Sequence, residues 1–232
     1  MHLLDRSQLI STGPVDHADW NYKPVIGFIQ RMRFRLVLRL LGKRQVGSLL
    51  EIGYGSGIFM PELARHTRQL AGIDIHPRHT EVAGVLARCG VTADLRSASM
   101  TNIPFPDESF DCAVAVSAME FVDDIDRACT EIRRVLKPGG EFLVITPGRS
   151  PVLDFGLWLL THESAKDDFA GRRERVRPAL EKHFDRGGEL RSPVIAHHLV
   201  CLYRGFRMLR PAKEAAPAQS IRQDDNALSV RT

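Results

Sequence analysis

The chain is 232 residues long, 44% hydrophobic and 26% charged, with a formal net charge of +4. That is a globular balance, not that of a disordered, collagenous or coiled-coil chain. A mean hydropathy of −0.16, with no uninterrupted apolar run near ~18 residues, argues against a membrane-spanning helix.

Charge is unevenly spread. Residues 1–45 hold eight Lys/Arg against three Asp/Glu, and the remainder is close to neutral. A uniformly basic face for nucleic acid is therefore not expected. Asp5, Arg6 and Asp16 stand where a leader peptide needs an apolar run, so a cytoplasmic location is expected. The four cysteines (Cys89, Cys112, Cys129, Cys201) lie far apart without CxxC or metal-ligand spacing. They read as reduced thiols, and no metal site is expected.

Residues 1–22 read as irregular, broken at Gly13-Pro14. From Pro24 to Arg44 the pattern is helical. Arg31, Arg35 and Arg39 fall on one stripe, and Val25, Ile29, Met32, Leu36 and Leu40 fill the other face. An alternation then begins. Residues 46–53 read as a buried strand, 58–66 as a helix with Pro61 in its first turn, and 68–75 as a second strand. A helix over 77–89 ends at Gly90, a favoured C-terminal stop. A short strand at 91–97 leads to the Pro-rich loop NIPFPDES and a fourth strand at 109–117. The helix at 123–137 buries Ile125, Ala128, Cys129, Ile132, Val135 and Leu136. Pro138-Gly139-Gly140 stops it before a strand at 141–146.

Farther on, 151–162 reads as an apolar helix with Phe155, Trp158 and Leu159 at helical spacing. A second helix is expected at 172–184, a strand near 189–195, and a closing strand at 199–211. The tail 211–232 has few large apolar groups and is expected to be disordered. The resulting division is an N-terminal segment 1–45, an α/β core 46–148, acceptor-side helices and closing strands 149–210, and the tail. Alternating strands and helices imply parallel βαβ units with helices on both faces. In such sheets ligands bind outside the carboxyl ends of the strands.

The loop after the first strand is Glu51-Ile52-Gly53-Tyr54-Gly55-Ser56-Gly57. Glycines there let the backbone turn tightly and approach a ligand at a helix N-terminus. The dinucleotide fingerprint G-x-G-x-x-G is not met, because Ile58 stands where its third glycine belongs. Glu51, two residues before the first glycine, offers nothing to a pyrophosphate but suits a ligand carrying an ammonium group. Asp74 closes the second strand seventeen residues after Gly57, a position suited to accepting hydrogen bonds from a ribose diol.

Four blocks, LLEIGYGSG, GIDI, NIPFPDESFDCAV and EIRRVLKPGGEFLVITP, occur in an order and spacing that resembles class I S-adenosylmethionine-dependent methyltransferases. The match is to the group that includes the quinone-biosynthesis methyltransferases. It covers residues 48–147, less than half the chain. The resemblance implies a Rossmann-like, seven-stranded, mostly parallel sheet and S-adenosylmethionine as cofactor. It implies that Glu51 holds the methionine amino group. Gly53, Tyr54, Gly55 and Gly57 would line the methionine part, and Asp74 would take the ribose hydroxyls. Ile75 would pack on adenine, and the loop 98–100 would close over the adenine edge. Ser99 stands where the family usually has an acid, so Met100 is a second candidate for that contact. Ser117, after the fourth strand, joins the set.

For the acceptor, the segment Ser117-Ala118-Met119-Glu120-Phe121 lacks the Asn/Asp-Pro-Pro-aromatic motif of many nucleic-acid and protein amine methyltransferases. Cys112 and Cys129 sit in core positions, which removes a nucleophile for base methylation. A small-molecule acceptor, hydrophobic or lipid-like, is expected, with nucleic acid disfavoured. Glu120 is the nearest ionisable side chain for base or acceptor-orienting work, and a carboxylate capping the next helix is the competing reading. His66 and His162 are weaker candidates. His76/His79 and His197-His198 lack a third ligand at metal spacing. The alternative function is a membrane-surface or partner-binding protein that uses the basic helix, with little or no methyl transfer.

Overall fold

The computed structural model describes residues 1–13, 16–148, 172–193 and 201–212. Its strands are β1 (Val46–Ile52), β2 (Thr67–Asp74), β3 (Asp94–Ser97), β4 (Phe110–Val116), β5 (Leu136–Pro147), β6 (Asp185–Ser192) and β7 (Tyr203–Leu209). They form one seven-stranded sheet in the order β3-β2-β1-β4-β5-β7-β6. Strands β1 to β5 are parallel, and β7 runs antiparallel between β5 and β6.

Period-two alternation sorts the side chains. Leu49, Val114, Leu143 and Ile145 face a core built with α1 (Pro24–Leu41), α2 (Met60–Leu63) and α3 (His79–Arg88). Leu50, Ile52, Ala113, Ala115, Phe142 and Val144 face a second core with α4 (Ile125–Val135) and α5 (Arg172–His183). The sheet is therefore covered on both sides, as its apolar strands require. Helix α1 lies against β5 and β7, where Gly205 leaves room: a Cβ there would stand 3.2 Å from Leu40 and 3.0 Å from Ile145. Crossovers leave β1 in one direction toward β2 and reach β4 in the other. The crevice between the carboxyl ends of β1 and β4 is thus the switch point where such sheets take ligands.

The structure follows the sequence expectation closely in the parallel core and differs from it in four places. The expected helix at 58–66 shrinks to α2 and a 3-10 turn at Ala64–His66, because Thr67 is already extended to pair with Val46. Strand β5 begins at Leu136, which pairs with Phe110, and a register shift beside Cys112 absorbs the Pro-Gly-Gly run. Gly139 and Gly140 there exchange backbone hydrogen bonds with Arg210.

The third difference is the N-terminal segment, which is packed. Leu4 and Asn21 are buried, the Leu4 amide donates to the Ile58 carbonyl (3.1 Å), and the Tyr22 hydroxyl donates to the Leu4 carbonyl. Strand β6 also starts earlier than expected, at Asp185. The expected helix 151–162 and most of the tail lie outside the described residues.

Candidate functional site

Strand β1 delivers the glycine loop to the switch point. Gly53, Gly55 and Gly57 all have positive φ (75°, 53° and 73°), which glycine adopts without the strain of a Cβ. At Gly53 space is short as well, since a Cβ would come within 2.8 Å of Ala118 Cβ after β4. The two loops of the crevice therefore touch at this glycine.

The loop is braced from β2. Asp74 Oδ2 accepts the Gly55 N–H (2.8 Å) and Oδ1 the His76 N–H (3.3 Å). His76 Nε2 lies 3.0 Å from the Gly55 carbonyl, and its ring meets Tyr54 edge-on with centroids 5.1 Å apart. Ile75, between these two, is 79% exposed, an apolar platform beside Asp74. Sequence reasoning missed His76 as a brace. Its signal was its place two residues after Asp74 at the end of a strand.

Glu51 is only 4% exposed and its Oε2 has no hydrogen-bond partner among the described residues. The Ser56 and Tyr54 hydroxyls share that condition. Burial, and then the Asp74 charge, push the Glu51 carboxyl up to about 8, with Arg33 pulling the other way. Burial raises the Tyr54 phenol too, helped by Asp74. Buried polar groups are normally satisfied, so three orphans around one positive-φ loop describe a cradle shaped for a polar ligand. They fit the expected cofactor: an anionic acceptor for an ammonium, loop backbone and hydroxyl for a carboxylate, and a β2 acid with an adjoining apolar face for a nucleoside.

In the loop after β3, Ser99 is exposed. Its Oγ lies 2.8 Å from Thr101 Oγ1 and accepts the Thr101 N–H at 3.2 Å. Met100 turns inward and packs on the second core. Behind this loop, Arg134 donates to the Ile103 and Phe105 carbonyls (2.8 and 2.9 Å) and pairs with Glu131 (2.9 Å). Ser117, with φ 51°, donates its N–H to the Ile145 carbonyl (2.7 Å) and turns the chain into the 3-10 segment Met119–Phe121.

The crevice gains two further walls. The N-terminal segment crosses the loop, where Asp16 Oδ1 would sit 3.6 Å from a Cβ on Gly55, and it is tied to α3 by Arg78 donating to the Ser11 carbonyl (2.6 Å). Arg33 of α1 has a buried Nε without a partner among the described residues. Burial lowers its pKa, while Tyr203, Asp16, Glu120 and Glu51 act to raise it. Sequence reasoning passed over Arg33, yet it shares a helix face with Leu36, Val37 and Leu40, all buried. An arginine in an apolar stripe was the signal.

Comparisons with known proteins bear on the domain and its fold. Residues 50–144 match the methyltransferase domain family. A demethylmenaquinone methyltransferase of Tropheryma whipplei (strain Twist) is 33% identical over 123 residues, 52% of this chain and 50% of that protein. A sterol 4-C-methyltransferase of Caenorhabditis elegans is 35% identical over 102 residues, 41% of this chain and 29% of that protein. The chain thus spans half or less of the length of these relatives.

Among solved structures, the N-methyltransferase NodS of Bradyrhizobium japonicum WM9 in complex with S-adenosyl-L-homocysteine superposes with a TM-score of 0.57. It is 21% identical, and the match covers 85% of this chain and 94% of that one, which shows the shared fold. Four motif blocks, a domain match across the same span and the seven-stranded topology converge: residues 50–144 are a methyltransferase domain of the class I, S-adenosylmethionine-dependent kind.

Proposed function

We propose that this chain binds S-adenosylmethionine and transfers its methyl group to a small, apolar, lipid-like acceptor. The single observation that carries the reading is Glu51, a buried carboxylate with an unpartnered oxygen at the end of β1, across a positive-φ glycine loop from Asp74. When bound, the cofactor supplies an electrophilic methyl on a sulfonium. Glu51 holds its ammonium, and the backbone of the loop 53–57 and Ser56 take the carboxylate. Asp74 takes the ribose hydroxyls, Ile75 the adenine face, and the loop at Ser99 and Met100 the adenine edge. The walls around Arg33 and Glu120 exclude water and position the acceptor, which alone is worth roughly 7–11 kcal/mol of barrier.

The acceptor class is supported by two relatives, named for demethylmenaquinone and for sterol methylation. The test is calorimetry with S-adenosylhomocysteine and NAD, followed by tritiated methyl transfer into a panel of quinols and sterols read in the organic phase. Binding of S-adenosylhomocysteine but not NAD, with label in the extract, is the expected result. Binding of NAD alone overturns the cofactor assignment, and label only in water-soluble acceptors overturns the acceptor class.

A second reading concerns the membrane surface, and one observation favours it. At the start of α1, Val25 and Phe28 are 73% and 52% exposed. Basic groups frame them, with Arg35 over the Phe28 ring and Lys23 over Trp20. Apolar tips among cations suit peripheral contact with an anionic bilayer. No helix among the described residues is long and apolar enough to cross one. Co-sedimentation with phosphatidylserine vesicles, lost in Val25→Ser/Phe28→Ser, checks it; equal recovery of both proteins contradicts it.

A further inference from the structure

Beyond the cofactor loop, several elements bring charged and polar side chains to one buried place. Glu120 comes from the segment after β4, Arg33 from α1 and Tyr203 from β7. Arg33 and Arg173 act on Glu120, and all three act on Tyr203. Glu120 is 1% exposed. Apart from its own nearby backbone N–H, neither carboxylate oxygen has a hydrogen-bond partner among the described residues, and neither has Arg33 Nε. A carboxylate kept for structure would be paired and hydrogen-bonded, because an unpaired buried charge is costly. Among the described residues this one is left open beside the cofactor crevice, where the β4 loop touches Gly53 and the same arginine acts on Glu51.

The pattern of open atoms selects a ligand. Ionised Glu120 can only accept and Arg33 can only donate. The group between them must do both. An ether cannot donate, an ammonium cannot accept, and a carboxylate would be repelled. A hydroxyl meets both requirements. We propose, building on the methyltransferase reading above, that Glu120 and Arg33 hold a hydroxyl of the acceptor, Arg33 donating to its oxygen and Glu120 receiving its proton. As the oxygen bonds to the methyl carbon, the carbon–sulfur bond breaks with its electron pair left on sulfur; the O–H bond breaks and its proton ends on the Glu120 carboxylate. Burial also pushes Glu120 up to about 7, against its own backbone N–H, Arg173 and Arg33, which places a proton acceptor near neutrality.

The probes are phenol and its methyl ether, anisole, titrated into the protein saturated with S-adenosylhomocysteine at about pH 8.5, above the range in which Glu120 titrates and below that of the phenol. Wild type is expected to prefer the phenol by about tenfold or more, the range of a hydrogen bond to a charged group. Glu120→Gln should lose that preference while keeping S-adenosylhomocysteine affinity. At that pH it should also melt higher than wild type when ligand-free, since it removes the desolvation cost of an ionised buried carboxylate, the largest influence on Glu120. Equal binding of the two probes to wild type, failure of both to bind, or a preference that survives in Glu120→Gln overturns the proposal. So does a lowered melting point, which would mark Glu120 as a structural partner. If S-adenosylhomocysteine itself does not bind wild type, the cofactor reading fails first, and the two failures are thereby told apart.

Discussion

Replacing Glu51 by Gln removes one buried ionisable carboxyl and little else. In the ligand-free protein burial raises this carboxyl from 4.5 to about 8, so at pH 7 it carries a proton about nine-tenths of the time. An ammonium seated against it favours the ionised form. Binding of S-adenosylhomocysteine at pH 7 should therefore release close to one proton (roughly 0.9) in wild type and close to none from this site in Glu51→Gln. Calorimetry repeated in buffers of different ionisation enthalpy reads that number directly.

The same shift predicts a stability profile. Between pH 4.5 and about 8 the folded chain holds a proton that the unfolded chain has lost. Wild-type stability therefore falls as pH rises through that window, by about 1.36 kcal/mol per unit at most and on the order of 4 kcal/mol in all. Glu51→Gln lacks this loss and should melt roughly 10 °C above wild type at pH 8, converging with it near pH 4.5. Its affinity should drop by about 10- to 150-fold, the loss of one charge-assisted bond of roughly 1.5–3 kcal/mol. Equal proton release by both proteins, or a variant less stable at pH 8, would refute the reasoning.

Asp74→Ala should weaken S-adenosylhomocysteine by about 10- to 150-fold with native circular dichroism, since Asp74 braces Gly55 and is the proposed ribose acceptor; unchanged affinity would withdraw the ribose assignment. Gly53→Ala meets Ala118 at 2.8 Å with φ at 75°, so thermal unfolding should show a loss of about 1–2 kcal/mol or more, and an unaltered melting point would mean the loop is free to move. Ser99→Asp keeps an acceptor for the Thr101 N–H and offers a charged partner to the adenine amino group, so calorimetry should show about fivefold tighter binding. Weaker binding there means that another residue of this loop faces the ring.

Much of this architecture was legible in the sequence. Strands β1, β2 and β4 are each dominated by buried apolar residues and end at glycine, acid or serine, and buried parallel strands have that pattern because both faces are covered. The glycine loop was legible for a different reason, since three glycines in five residues point to a tight turn, and all three adopt positive φ. The N-terminal segment was not. Leu4, Tyr22 and Asn21 find their partners only once α1 and the glycine loop exist, and no periodicity records such long-range contacts. Strand β5 was cut short because Pro138-Gly139-Gly140 reads as a stop. Pairing to Phe110 on one side and Arg210 on the other overrides that local signal.

Arg33 and Glu120 show the same limit within the site. Glu120 stood out as an ionisable group at the right edge, but its isolation inside the protein depends on α1, α5 and β7 arriving around it. Sequence patterning locates the sheet edge that carries the candidate site. The electrostatics of that edge belong to tertiary structure.

The central claim is that one crevice, from Asp74 through Glu51 to Glu120, holds cofactor and acceptor end to end. A crystal structure of the protein with S-adenosylhomocysteine tests it most directly. The account predicts the amino group on Glu51, the ribose hydroxyls on Asp74, adenine against Ile75, and the sulfur directed toward the space between Arg33 and Glu120. A ligand bound elsewhere, or one in this crevice with its sulfur turned away from Glu120, would contradict it.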